Sequence, residues 1–269
     1  MKRTLVTLLA VAAAVGAGCS DDVGLPDARI PIDAAAPGQF MVSWTVGHQG
    51  TVLTCAEISA SSVTVEIVPV GAVFGVVDSF GCTSSIGTSR LLAPGGYDLE
   101  ISLEGSGGTL AGPVLRLAVV VTSGGVAAVT PVPFDVDPAG DLAFTITTPA
   151  GDNCGAMPAG AGITATRIEL RDAAGTCVPT TFTIGAGATA PAGTYVSDCA
   201  TATHACIAAD QAVGAADVRS GQRSMVITGL VGTTACWRRS SSFVVRAAGL
   251  TTTLSAQQLI RDTVLCPPT

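Results

Sequence analysis

Tyr97, Leu99, Ile101 and Leu103 alternate strictly with Asp98, Glu100, Ser102 and Glu104. A side-chain period of two belongs to an extended strand with one face buried and one solvated, and a helix cannot satisfy it. The same alternation sets Phe40, Val42, Trp44 and Val46 against Met41, Ser43 and Thr45, and Val63, Val65 and Ile67 against Thr64 and Glu66. Turn signals separate these runs: Gly47-His48-Gln49-Gly50, Pro94-Gly95-Gly96, Gly105-Ser106-Gly107-Gly108 and Ser123-Gly124-Gly125. Short half-buried strands at this spacing predict an all-β chain of antiparallel β-sandwiches.

The second half repeats the first. GQFMVSWTV (38–46) is similar to GDLAFTITT (140–148), and Cys55 followed by SVTVEI matches Cys154 followed by TRIEL. PGGYDLEISL (94–103) aligns with SGQRSMVITG (220–229), and LRLAVVVTSGG (115–125) falls near SSFVVRAAGLT (241–251). The offset between copies grows from about 100 to about 126 residues, as an insertion in the second copy requires. The expected organisation is a first sandwich over 39–137 and a second over 138–269, with a disulfide-stapled insertion near 186–219.

Ahead of the strands, Met1-Lys2-Arg3 is followed by an apolar run from Leu5 to Val15, then Gly16-Ala17-Gly18 and Cys19. A charged start, a short apolar core and small residues are the parts of an export signal. The run is too short for a transmembrane helix, which needs about 20 residues. A cysteine directly after the small residues resembles the lipobox of bacterial lipoproteins, although that family prefers leucine where Gly16 stands. The resemblance implies a signal peptide over 1–18, cleavage before Cys19, and a diacylated Cys19 as mature N-terminus. The alternative is an ordinary cleaved signal with Cys19 as a stray thiol. Ser20 after Cys19 points toward the outer rather than the inner membrane under the sorting rule of some enteric bacteria. Residues 19–38 carry Asp21, Asp22, Asp27 and Asp33, three prolines and no apolar periodicity, and read as a flexible tether.

Nine cysteines are an odd number for an exported chain. With Cys19 assigned to lipid, Cys55, Cys82, Cys154, Cys177, Cys199, Cys206, Cys236 and Cys266 remain for four disulfides in an oxidising compartment. No C-x-x-C occurs, and His48 and His204 are far apart, so zinc is the poorer use of these thiols. The repeat favours Cys55–Cys82 and Cys154–Cys177 as equivalent bridges, with Cys199–Cys206 closing the insertion and Cys236–Cys266 tying down the C-terminus. Six cysteines in the second half allow 15 connectivities, so this pairing is one choice among them.

The formal charge is −7, and cleavage after Gly18 takes it to −9. An acidic chain without a basic stripe is a poor nucleic-acid binder, because such binding rests on neutralising phosphates. Neither G-x-S-x-G nor H-E-x-x-H occurs, and GAGAT (185–189) lacks the lysine of a phosphate loop. His48 and His204 read as loop histidines without a partner pattern. Asp135, Asp137 and Asp141 surround the expected junction and are candidate calcium ligands, a solvated linker being the plainer reading. Glu66, Glu169, Glu100 and Glu104 read as solvent faces of strands. Trp237-Arg238-Arg239 reads either as a spot for an acidic or sugar ligand or as a half-buried ring beside Cys236.

Pro94-Gly95-Gly96-Tyr97-Asp98-Leu99-Glu100-Ile101 resembles the PG-x-Y strand of carboxypeptidase-regulatory-like and prealbumin-like domains, although Arg223 replaces the tyrosine in the second copy. The resemblance covers about ten residues and implies an immunoglobulin-like or transthyretin-like sandwich of the kind used as accessory modules on exported proteins. The immunoglobulin signature itself is absent, because Trp44 precedes Cys55 instead of lying between two cysteines. Taken together, these features predict a non-catalytic envelope lipoprotein that needs no cofactor. It would be held to the membrane by its lipid and would contact an envelope protein or glycan. A calcium- or small-ligand-binding envelope protein is the alternative.

Overall fold

The computed structural model describes residues 35–267. The expected signal segment 1–18, Cys19 and residues 19–34 of the tether lie outside them. The first half folds into β1 (Gln39–His48), β2 (Thr51–Val52), β3 (Ala60–Pro69), β4 (Val76–Gly81), β5 (Ile86–Thr88), β6 (Gly95–Gly105), β7 (Gly108–Val121), β8 (Val126–Ala128) and β9 (Val132–Asp135). The second half folds into β10 (Ala139–Thr147), β11 (Ala165–Asp172), β12 (Thr180–Ile184), β13 (Gly193–Ser197), β14 (His204–Ala205) and β15 (Ala212–Arg219). It ends with β16 (Gly221–Val231), β17 (Thr234–Val245), β18 (Thr251–Thr253), β19 (Gln257–Gln258) and β20 (Ile260–Arg261).

One sheet of the first sandwich is centred on β1, and the other runs β4-β3-β6-β7, antiparallel throughout. The alternating residues of β1, β3 and β6 are the ones buried. Phe40, Val42, Trp44, Val132 and Phe134 of one sheet share a core with Val63, Val65, Ile67, Leu99, Ile101 and Leu103 of the other. Each such side chain stabilises by about 1.5–3 kcal/mol on burial. The Trp44 indole N–H is satisfied by the Cys82 carbonyl at 2.9 Å. β8 and β9 depart from antiparallel pairing. They cross from the neighbouring sheet and run parallel to β1, as a crossover and not a hairpin must. The described end of the expected tether also belongs to the fold. Gly38 bridges Leu92, and the Ala36 carbonyl accepts the Gly124 N–H at 3.1 Å.

The second sandwich repeats this topology around its own core. β10 takes the place of β1, antiparallel to β15 and parallel to β18 and β19. β11, β16 and β17 take the places of β3, β6 and β7.

The insertion lies elsewhere than the offset suggested. In the first sandwich β4 covers the outer edge of β3 from Ser62 to Ile67. In the second, that edge strand is split. Residues 176–178 fold back on the end of β11, with the Val178 N–H on the Leu170 carbonyl at 2.8 Å, while β14 pairs with its start, Ala205 opposite Ala165. Between the two pieces the chain leaves for the other sheet, where β12 and β13 form a hairpin beside β15. The insertion therefore falls between β11 and β14 rather than over 186–219.

This relocation changes two disulfides. Cys206 directly follows β14, as Cys82 directly follows β4, so Cys206 and not Cys177 is the structural equivalent of Cys82. The bridges are Cys55–Cys82, Cys154–Cys206, Cys177–Cys199 and Cys236–Cys266. The expected pairs Cys154–Cys177 and Cys199–Cys206 are replaced. Cys177 and Cys199 instead clamp the two ends of the inserted hairpin. Asp198 shapes the turn that presents Cys199. Its carboxylate accepts the N–H groups of Ala200, Ala202 and Thr201, chiefly the first two, which hold its pKa down at about 2.

Candidate interaction surfaces

The two sandwiches meet where the loop after β2 reaches the turn between β15 and β16. Arg219 donates to Glu57 Oε1 at 2.8 Å, and the Ser220 hydroxyl donates to the Glu57 carbonyl. On the other side of the joint, Arg246 donates to the Gly107 carbonyl. Ala247, although it belongs to the second half of the chain, is fully buried in the first core. The Ala248 N–H bonds the Asp137 carbonyl at 2.8 Å. Within the second sandwich, Gly140 lets the 246–250 segment lie against β10, because a Cβ there would meet the carbonyl oxygens of Arg246 and Leu250.

Glu57 is organised before it meets Arg219. The Thr54 N–H and hydroxyl donate to its Oε2 at 2.8 and 2.9 Å, and its own N–H returns a bond to Thr54 Oγ1. These bonds, the Thr54 N–H first, hold its carboxyl below the usual 4.5, with Arg219 adding to them. A depressed carboxyl pKa contributes stability that is fully present above the unfolded value and lost as pH falls through the folded one. The expected result is a melting-temperature gap between wild type and Glu57→Gln that is open at about pH 6 and narrows as pH is lowered through and below the usual carboxylate range. A gap that is constant across this range, read by thermal melts in matched buffers, would refute the assignment.

His48 has a partner that the sequence did not reveal. Its Nδ1 lies 3.0 Å from Oδ1 of Asp135, 87 residues away. The parallel register of β1 and β9, which sets Gly47 opposite Asp135, brings them together. Both residues line an open cleft of about 440 Å³ formed by β1, β2 and β9, and His48 alone also borders a second of about 440 Å³ with Gln49, Leu53, Pro138, Ala139 and Arg219. Thr51 is common to both linings and Thr45 adds a second hydroxyl to the first; neither lining contains serine or cysteine. His204 belongs to the second sandwich. Its Nδ1 lies 2.8 Å from the Ala205 carbonyl, and its ring stands edge-on to Tyr195.

The three candidate calcium ligands are not gathered. Asp135 faces His48, and Asp137 accepts the Ala139 N–H at 2.9 Å. Asp141 lies on β10, opposite Thr251. Among the described residues, no three His, Cys, Asp or Glu side chains converge as metal ligands. Backbone direction explains this: the chain turns at Pro138 and carries each carboxylate to a different neighbour.

Trp237 is no ligand platform. Its ring is buried, its N–H donates to the Ala161 carbonyl at 3.0 Å, and the Arg261 guanidinium lies over its face, 5.8 Å from the centroid. Arg238 and Arg239 are exposed. Arg238 borders a small cleft with Arg167, Glu169 and Asp262. Glu169, expected on a solvent face, is instead largely covered by Arg167 at 3.4 Å and Arg171 at 2.7 Å. Glu66 and Glu100 are exposed and stand directly opposite each other across β3 and β6.

Among the described residues, no helix is long and apolar enough to cross a membrane. No known protein family matches the sequence, and no curated protein does. Among solved structures, a leucine-rich repeat protein from Bacteroides thetaiotaomicron is similar over 82% of this chain, at 13% identity and a TM-score of 0.25. The Bacillus anthracis TIE protein is similar over 84%, at 13% identity and a TM-score of 0.31. This chain spans only 26% of the first and 34% of the second. GBS52, the minor pilin of Streptococcus agalactiae, is similar over 84% of this chain and 97% of its own, at 9% identity and a TM-score of 0.27. Likenesses this distant carry no argument, and the fold rests on the strand pairing itself.

Proposed function

We propose that this protein is a non-catalytic structural or adhesive module of the bacterial cell envelope, held to the membrane, the outer one by preference, through lipid on Cys19. The observation that supports this reading is the joint. Two sandwiches stapled by four disulfides are locked to one another by Glu57, Arg219, Ser220, Arg246 and the buried Ala247. Such a body holds binding edges and loops at fixed positions, which suits transmission of force or geometry. Its partner would be an envelope protein or glycan. β7 offers one route to such a partner, since it ends its sheet and turns Leu115, Leu117 and Val120 to solvent.

The test is the intact mass of membrane-extracted protein, with thiols labelled before and after reduction. The expected species starts at Cys19, carries acyl mass, and shows no free thiol before reduction and eight after it. An unacylated chain with a free Cys19 would overturn the anchor. Failure of the mature chain to be retained on any isolated envelope fraction would overturn the interaction role.

A further inference from the structure

One end of the first sandwich differs in chemistry from the other. At that end lie the chain entry at 35–38, the β3–β4 loop at 70–75, residues 91–96 before and at the start of β6, and the β7–β8 turn at 122–125. They are tied together: Gly38 bridges Leu92, the Gln39 N–H bonds the Gly125 carbonyl, and the Val70 N–H bonds the Gly96 carbonyl. None of these residues has an ionisable side chain. The opposite end holds Glu57, His48, Asp135 and Asp137, and it meets the second sandwich.

The uncharged end is also apolar in an unusual way. The β3–β4 loop reads Val70-Gly71-Ala72-Val73-Phe74-Gly75, where the β1–β2, β6–β7 and β7–β8 turns are built from glycine and polar residues. Val73 is 84% exposed and Phe74 86% exposed, so neither serves the core. Val70, Val77 and Leu91 are exposed beside them. Contiguous exposed apolar surface of this kind marks a contact with a partner or a membrane.

Chain length selects between these. Fifteen residues, 20–34, separate Cys19 from Ala35. Fifteen linked residues can span no more than about 50 Å. They join the fold at the uncharged end. A lipid on Cys19 therefore holds that end toward the bilayer, and the loop tip at 70–75 carries no charge into the headgroup–acyl boundary, the Arg90 guanidinium at its β4 flank being paired with Asp78 and the Val77 carbonyl.

We propose that the β3–β4 loop at 70–75 is a second membrane contact, with Val73 and Phe74 seated in the interface of the bilayer that holds the lipid. This proposal rests on the anchoring reading above. The contact is apolar, and the chain as a whole is acidic, so seating requires no anionic lipid and is insensitive to salt. It would fix the orientation of the sandwiches above the membrane, which a tether alone leaves free.

The test uses the mature full chain in phosphatidylcholine vesicles. Phe74→Trp should give emission shifted to the blue and quenched by lipids brominated along their acyl chains. Val52→Trp, exposed at the opposite end, should show neither. The native Trp44 and Trp237 are buried and supply a constant background. Emission from position 74 that vesicles leave unchanged overturns the proposal, and so does equal quenching at 52 and 74. Acyl mass on Cys19 is read separately. A chain with acyl mass and an unquenched position 74 loses the loop contact and keeps the anchor. A chain without it loses the anchor, and quenching at 74 still decides the loop.

Discussion

Phe182→Ala should destabilise the second sandwich by about 3–5 kcal/mol, the usual loss for a buried phenylalanine. Phe182 is fully buried. Its ring stacks on Tyr195 at 6.0 Å between centroids and meets Phe144 edge-on at 6.3 Å. Both Phe182 and Tyr195 come from the inserted hairpin, with Ile184 beside them in the second core. The insertion is therefore part of the packing and not a decoration on it. A typical domain has only about 5–15 kcal/mol of stability, so this loss is a large share. Urea unfolding can follow each half by its own tryptophan, Trp44 in the first core and Trp237 in the second. In a Trp44→Phe background, the Trp237 transition should move to much lower urea. In a Trp237→Phe background, the Trp44 transition should move less. An unmoved Trp237 transition would mean that the hairpin does not support the core.

The second large effect concerns the bridge that the repeat misassigned. Cys154–Cys206 closes a loop with a sequence separation of 52, against 22 for Cys177–Cys199. Loop-closure entropy then ranks them. Removing Cys154–Cys206 by a double alanine substitution should cost about 4 kcal/mol, and removing Cys177–Cys199 about 3 kcal/mol. For a sandwich of this size the larger loss lowers the melting temperature by roughly 10–20 °C. Peptide mapping under non-reducing conditions decides the connectivity directly. A fragment joining Cys154 to Cys177 would sink the assignment, and with it the equivalence of Cys206 and Cys82.

The contrast between these bridges shows where sequence reading stops. Cys154 is the counterpart of Cys55 because each is the first cysteine after the opening strand of its copy. Cys177 was matched to Cys82 because it came next in the chain. The split of the edge strand over β11 is invisible in sequence, since residues 176–178 and 204–205 are each too short to carry a periodic signal. The same limit applies to His48 and Asp135, which only the parallel register of β1 and β9 brings together. It also applies to Glu169, whose alternation gave its face correctly but not the two arginines that cover it. The uncharged end of the first sandwich draws on four loops far apart in the chain, and none of them stands out alone except the one carrying Val73 and Phe74.

By itself the sequence determined the strand class, the inward set on β1, β3 and β6, the doubled plan and the supply of eight cysteines for pairing. All of these follow from periodicity and composition within a few residues of each position. Tertiary structure alone decided which cysteines meet, where the insertion departs, how Ala247 enters the neighbouring core, and which loops share an end. Those outcomes depend on contacts between segments tens of residues apart, and such contacts are set by sheet register and crossover, which no local pattern encodes.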